Sequence, residues 1–353
     1  MSKFFKSLNS EMKEYLSILE PEFPEWLEEY INVPELARID KVSMFCGKDY
    51  SALAGVCYPI SNLVHSVGVA LIVWHFTHDK AQTLAGLFHD IATPAFKHCI
   101  DYMNGDAETQ ESTEERTESI ISGSKQIMTL LARDGISINQ VSDYKIYPIA
   151  DNPTPGLSAD RFEYNFTCGL SLSRVFDIND VREIYSHTIV GKNEKGEIEL
   201  AFDDLSIAEK YIIRLRKLWP IWCDEKNNVY MQFLADICGS MSKIGKLSVS
   251  DLYSLGDEGV IEKIKNCGDS YLSNCMNKFL THTKIEVLSE PQPNRYCVKL
   301  KSKRRYVSPL VKTEKGFVRA KDISPKVNDL IENYLNEKFD KYGCLDFDFV
   351  PYK

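Results

Sequence analysis

The sequence predicts a mainly α-helical fold: a helical bundle followed by a small C-terminal α+β module that contains a short antiparallel sheet. Three observations carry this. Between about residues 60 and 245, apolar residues recur at three- and four-residue steps, with few period-two runs. After about residue 283 the texture changes to short runs of β-branched and aromatic residues separated by turn formers. The composition is that of a folded globular chain: 353 residues, 44% apolar and 26% charged. This excludes disorder, collagen, coiled coil and a small disulfide scaffold.

Leu8, Met12, Tyr15, Leu16 and Leu19 form one apolar stripe, a first helix that Pro21 and Pro24 end. A second short helix spans 26–31. The bundle helices are expected at 62–76, 80–91, 117–134, 160–176, 205–219 and 228–244. The polar, acidic stretch 99–116 reads as a surface loop, and Asn152-Pro153-Thr154-Pro155-Gly156 as a turn. Short strands are expected at 284–288, 295–300, 306–311 and 317–320, and helical periodicity returns over 323–339. These breaks divide the chain into an N-terminal helical extension (1–41), a core (42–250) and a C-terminal helical and small-sheet module (251–353).

Charge is unevenly spread. The chain has 42 Lys and Arg against 51 Asp and Glu, a net of −9. Residues 278–326 hold 13 bases and 4 acids, a net of +9, so the remainder carries −18. An acidic body argues against coating nucleic acid. The basic module leaves a local anionic partner open, either nucleic acid or a neighbouring subunit, with Lys299, Lys301, Lys303, Arg304 and Arg305 facing solvent or a subunit interface. The longest apolar run in helical context, 67–74, is far short of the roughly 20 residues that span a bilayer. Ten scattered cysteines without Cys-x-x-Cys spacing and no export signal predict a cytoplasmic protein with reduced thiols.

Of seven histidines, four fall between 65 and 89. A turn near Thr77-His78 would leave His65 and the His89-Asp90 pair about equally far from it. At roughly 1.5 Å rise per residue, an antiparallel helix pair then brings two imidazoles and a carboxylate to one level. Such donors suit Mn, Fe, Co, Ni or Zn, or Mg with fewer nitrogens. His75, His78, His187 and His282 have no partner at useful spacing. Phosphate-loop, dinucleotide, nucleophile-elbow and His-Glu-x-x-His signatures are absent from the sequence.

The run His65-Ser66-Val67-Gly68-Val69-Ala70, with Leu84-Ala85-Gly86-Leu87-Phe88-His89-Asp90-Ile91 after it, resembles the core of the HD-domain metal-dependent phosphohydrolases. Thr93-Pro94-Ala95-Phe96-Lys97-His98, Ser158-Ala159-Asp160-Arg161-Phe162-Glu163-Tyr164 and the run 304–311 are similar to the deoxynucleoside-triphosphate triphosphohydrolase branch. The resemblance implies an HD helical bundle in which His65, His89, Asp90 and Asp160 hold a divalent metal ion. It also implies hydrolysis of a phosphorylated small molecule, a nucleotide or related ester or anhydride, by a homo-oligomer.

The chain departs from that branch at three places. Thr93 and Thr113 stand where it has imidazoles, and Asn62 where it has an arginine. Threonine does no acid–base work near neutral pH, and asparagine forms no charged bidentate clamp. Glu114 and His98, with Asp90, are the catalytic candidates that remain. Arg161, Tyr164, Lys97, Asn62, Thr93 and Thr113 are the candidate substrate contacts, with Glu115, Lys125 and Arg174 nearby. Two function classes follow: a phosphohydrolase with altered leaving-group chemistry, or a catalytically weakened protein that binds nucleotide or nucleic acid as a sensor or scaffold.

Overall fold

A computed structural model describes residues 3–52, 56–110, 112, 116–281 and 284–353. Its architecture is mainly helical, as the periodicity predicts. The central pair is Asn62–Thr77 and Lys80–Phe88. Ser61 caps the first through the Val64 amide, and Asp79 caps the second through the Gln82 amide. Between them His78 adopts φ 48°, the left-handed conformation that ends the first helix tightly. Val67, Val69, Leu71 and Val73 of the first helix and Leu84, Leu87 and Phe88 of the second are buried in the main core. Tyr15, Leu16 and Leu19 from the first stripe join that core with no exposure.

A second core gathers Phe96, Phe233, Phe279 and Phe349 around the long helix Glu225–Lys243. Among the described residues no helix is long and apolar enough to cross a membrane.

Several element boundaries differ from expectation. The 117–134 stretch is two helices, Thr117–Gly123 and Lys125–Asp134, because Ser124 caps the second through the Ile127 amide. The expected loop 99–116 opens with a helix, Cys99–Met103. Its Asp101 points inward with no exposure and accepts from Ser112 Oγ at 2.6 Å.

Among the described residues seven strands form two sheets: β1 (Thr188–Lys192), β2 (Ile198–Phe202), β3 (Ile285–Leu288), β4 (Cys297–Val298), β5 (Leu310–Thr313), β6 (Gly316–Arg319) and β7 (Tyr342–Leu345). The order β3-β7-β4 is the small antiparallel sheet. The other two C-terminal strands leave it for a mixed sheet, β1-β2-β5-β6, in which β2 and β5 run parallel. β2 carries no period-two signal because Glu199, Leu200, Ala201 and Phe202 are all buried. Cys297 and Cys344, register partners on β4 and β7, are joined as a disulfide. The expectation of reduced thiols throughout therefore fails at this pair, which lies 47 residues apart and is invisible to short-range spacing.

One buried carboxylate fixes two turns beside the helix pair. Asp257 has no exposure; its two oxygens accept the Ser43 and Phe96 amides, each at 2.8 Å. Phe96 and Lys97 both have positive φ, 62° and 45°, which non-glycine residues rarely adopt. Gly47 (φ 74°) packs so closely that a Cβ would sit 2.5 Å from Phe96 Cδ1. Burial pushes the Asp257 carboxyl up to about 7 in spite of its two amide donors. Asp257→Ala leaves both donors buried without an acceptor, at a cost of roughly 2–4 kcal/mol. The variant is expected to unfold at correspondingly lower denaturant concentration, with amide exchange rising first over residues 43–48 and 94–98.

Candidate metal centre

His65 lies one turn inside the Asn62–Thr77 helix, and His89 caps the end of Lys80–Phe88. The hairpin brings their Nε2 atoms to 3.1 Å. Asp160, in the first turn of Ala159–Ser171, places Oδ1 at 3.2 Å from His65 Nε2 and 3.7 Å from His89 Nε2. Asp90 Oδ2 lies 3.8 and 3.6 Å from the same two nitrogens. The first three form a group of donor atoms within 4.8 Å of one another.

The other nitrogen of each ring is tied down. His65 Nδ1 bonds the carboxylate of Glu163, and His89 Nδ1 the carbonyl of Gly86 at 2.7 Å. With Nδ1 acting as donor in both rings, Nε2 of each ring faces the centre, the arrangement that orients metal-bound histidine.

These donors fit a divalent cation. Atoms bound at about 2.0–2.2 Å lie about 3–3.5 Å apart, close to the separations seen here. Two imidazoles with carboxylates suit Mn, Fe, Co, Ni or Zn better than Ca.

Electrostatics favour the same conclusion. Burial disfavours charge on Asp160, yet the His65 hydrogen bond and the His89 charge hold its carboxyl well below the usual range. Asp90 is likewise held low against burial, by Lys97 and the two histidines. Both carboxylates are ionised donors. His65 loses basicity to burial but gains more from Glu163 and Asp160, reaching about 9.

Glu163 is the residue that the sequence reading missed. It sits three positions after Asp160, has no exposure, and also accepts from Tyr15 Oη at 3.2 Å and Thr167 Oγ1 at 3.3 Å. Helical spacing from Asp160 was the available signal.

The centre opens into a cavity of about 520 Å³. Lys97, His98, Arg161 and Tyr164 line it. Lys97 Nζ donates to Asp90 Oδ2 at 3.0 Å and to Asn62 Oδ1 at 2.6 Å, which places fully buried Asn62 behind the centre. His98 Nδ1 bonds Asp101 Oδ2 at 2.9 Å. The Arg161 guanidinium donates to Asn152 Oδ1, the Gly156 carbonyl and Asp151, so it braces the 151–158 turn. Tyr164 packs edge-on against Trp222, with ring centroids 5.4 Å apart. Thr93 is buried in a small cleft beside His89, Asp90 and His98. Thr113, Glu114 and Glu115 lie outside the described residues, as does His282.

Lys125 and Arg174 do not line the cavity, and Arg174 pairs with Glu11 at 2.8 Å. Of the five basic residues expected on a solvent or subunit face, Lys299 and Lys301 are exposed, whereas Lys303, Arg304 and Arg305 are half-buried and line the cavity. Residues 299–309 form an irregular strap, anchored by the Leu300 carbonyl on Asn228 and by the Ser308 amide on the Pro155 carbonyl.

Two predictions follow from the Glu163–His65 pair. A Cβ at Gly68 would meet Glu163 Cγ and Oε1 at 2.7 Å. Gly68→Ala is therefore expected to displace Glu163 and weaken metal binding about tenfold or more, read by calorimetric metal titration, with unchanged affinity refuting the role. Metal uptake should also depend on pH. Up to about 9 the metal-free His65 carries a proton that the ion must displace. Affinity for Co²⁺ is expected to rise about tenfold per pH unit from 7 towards 9, with one proton released per ion. A flat profile would show that metal-free His65 is already neutral over this range, and so would refute its raised basicity.

No protein-family model matches the chain. An uncharacterized Bacillus subtilis protein, YdhJ, is 23% identical over 277 residues, 77% of this chain and 81% of that protein. The metal-dependent phosphohydrolase cns2 of Cordyceps militaris is 24% identical over 165 residues, 45% of this chain; the match spans about half of that relative, 47%. A crystal structure of a Bacteroides thetaiotaomicron phosphohydrolase superposes with TM-score 0.58 at 14% identity, covering 92% of this chain and 96% of that one. A hypothetical protein of Aquifex aeolicus does so with TM-score 0.58 at 16% identity, covering 93% of each. The structural likenesses show a shared fold, the cns2 match relates part of the chain to a metal-dependent phosphohydrolase, and His65, His89 and Asp160 form a candidate divalent-metal site.

Proposed function

We propose that the chain hydrolyses a phosphate ester or anhydride, with nucleotides as the substrate class, at a divalent ion held by His65, His89, Asp90 and Asp160. The observation that carries this reading is the paired tethering of both imidazoles through Nδ1, which leaves Nε2 of each aimed at two ionised carboxylates on a cavity wall. A bound divalent ion supplies Lewis-acid polarisation of a phosphoryl oxygen and an activated water.

The chain's own residues do the remainder. Lys97 neutralises Asp90 and, with Asn62, fixes its position. His98, oriented by Asp101, is the imidazole on the cavity wall able to exchange a proton with the leaving group. Burial pushes its basicity down, and the charges of Arg305 and Lys97 add to this against the pull of Asp101. A weakly basic imidazole is neutral at pH 7 and donates a proton poorly. Thr93 adds no second acid.

The enzyme is therefore expected to favour aryl esters and anhydrides over alkyl monoesters, and to act weakly on deoxynucleoside triphosphates. The test is a panel of p-nitrophenyl phosphate, nucleoside phosphates and glycerol phosphate with Mn, Co, Ni, Mg and Zn. Turnover abolished by Asp160→Ala supports the reading. Thr93→His combined with Thr113→His should raise triphosphate hydrolysis. Tight nucleotide binding without turnover under every metal would overturn the enzyme in favour of a sensor.

A further inference from the structure

Among the described residues, seven Lys or Arg side chains line the cavity against three Asp, so the space as a whole selects anions. Most of these cations are already engaged. Lys97 is matched by Asp90 and Arg161 by Asp151. Arg304 donates to the carbonyls of Tyr334, Leu335 and Glu337, at the C-terminal end of the helix Pro325–Asn336.

Lys48 and Arg305 differ. Lys48 Nζ donates to Asn227 Oδ1 at 2.7 Å, and Arg305 Nη2 to Gln110 Oε1 at 2.6 Å; both acceptors are neutral amides. No described carboxylate lies within ion-pair distance of either. Lys48 is only 9% exposed. A buried ammonium without an anion is costly, and an ammonium has three donors and a guanidinium five, so both groups keep donors unspent.

Their placement is built into the fold. Lys48 follows Cys46 and Gly47, both left-handed, in the turn that Asp257 holds. Arg305 comes from the 299–309 strap and leans over the Tyr164 ring at 5.9 Å. Both line the cavity into which the metal centre opens, together with Lys97 and Tyr164.

We propose that Lys48 and Arg305 form a second anion subsite, and that the substrate carries a second anionic group besides the phosphoryl group at the metal. The inference rests on the phosphohydrolase reading for the word substrate, but the subsite itself does not need turnover. Two ligands that cannot be hydrolysed separate the questions. Methylphosphonate presents one anionic group and methylenediphosphonate two.

Calorimetry on the full chain, at low salt and with saturating Mn²⁺, should show methylenediphosphonate bound at least tenfold more tightly. Lys48→Met and Arg305→Gln should each remove most of that preference, and Arg305→Lys should retain part of it. Arg305 is only half-buried, so the Arg305 pair decides the matter if Lys48→Met fails to fold. Phosphonoacetate as a third ligand identifies the anion: affinity equal to methylenediphosphonate means that a carboxylate serves, and affinity equal to methylphosphonate means that a phosphoryl group is required. Equal binding of the mono- and diphosphonate, or a preference kept in Arg305→Gln, would overturn the subsite even if p-nitrophenyl phosphate is hydrolysed. A preference lost in the variants, in a chain that hydrolyses nothing, would keep the subsite and overturn the enzymatic reading.

Discussion

A carboxylate with no access to water, Glu163, is the constraint on which the centre depends. Burying an unpaired carboxylate costs several kcal/mol, so it persists only where donors surround it. Here they come from three elements: the His65 imidazole, the Tyr15 hydroxyl of the N-terminal helix, and Thr167 one turn along its own helix. Satisfying Glu163 thus docks the N-terminal helix, sets the spacing of the Asn62–Thr77 and Ala159–Ser171 helices, and fixes the ring orientation of His65. Gly68 is the local price, since any side chain there would occupy the space of the carboxylate. The same contact also leaves His65 strongly basic without an ion, which links metal loading to proton release.

Much of the centre was legible from spacing. His65 and the His89-Asp90 pair are nearly equidistant from the His78 turn, and helix geometry alone converts that into convergence. Asp160 came from resemblance, because nothing local relates it to a hairpin 70 residues earlier. Glu163 was equally readable from its helix but carries no motif of its own. In the β1–β2 hairpin, β2 was missed because a strand buried on both faces loses the alternation that marks strands. The Cys297–Cys344 pairing depends on the register of β4 against β7, which is fixed by packing on the Glu225–Lys243 helix and not by local sequence.

The basic module shows why charge counting locates a partner's chemistry better than its place. The cluster around residue 304 reads as a patch, and an irregular strap has no period from which orientation can be inferred. What directs it inward is a set of distant anchors: Asn228 on the Leu300 carbonyl, Pro155 on the Ser308 amide, and the end of the Pro325–Asn336 helix on Arg304. The charge asymmetry is therefore an internal feature of the cavity as well as a property of the surface.

This arrangement divides the cavity between two construction principles. The metal donors all stand on regular helices or at their ends, where the backbone holds each atom to a narrow range. The unmatched cations stand on a turn and a strap, whose backbone is set by a few hydrogen bonds: Asp257 on the Ser43 amide, and the Leu300 and Ser308 anchors. Loops accept substitution and insertion more readily than helices. A change at Lys48 or along 299–309 alters which anion fits while leaving the imidazole tethers of Glu163 and Gly86 untouched. In this fold the candidate metal donors and the proposed anion subsite thus stand on different elements, joined through Asp257, which holds both the turn before Lys48 and the turn that carries Lys97.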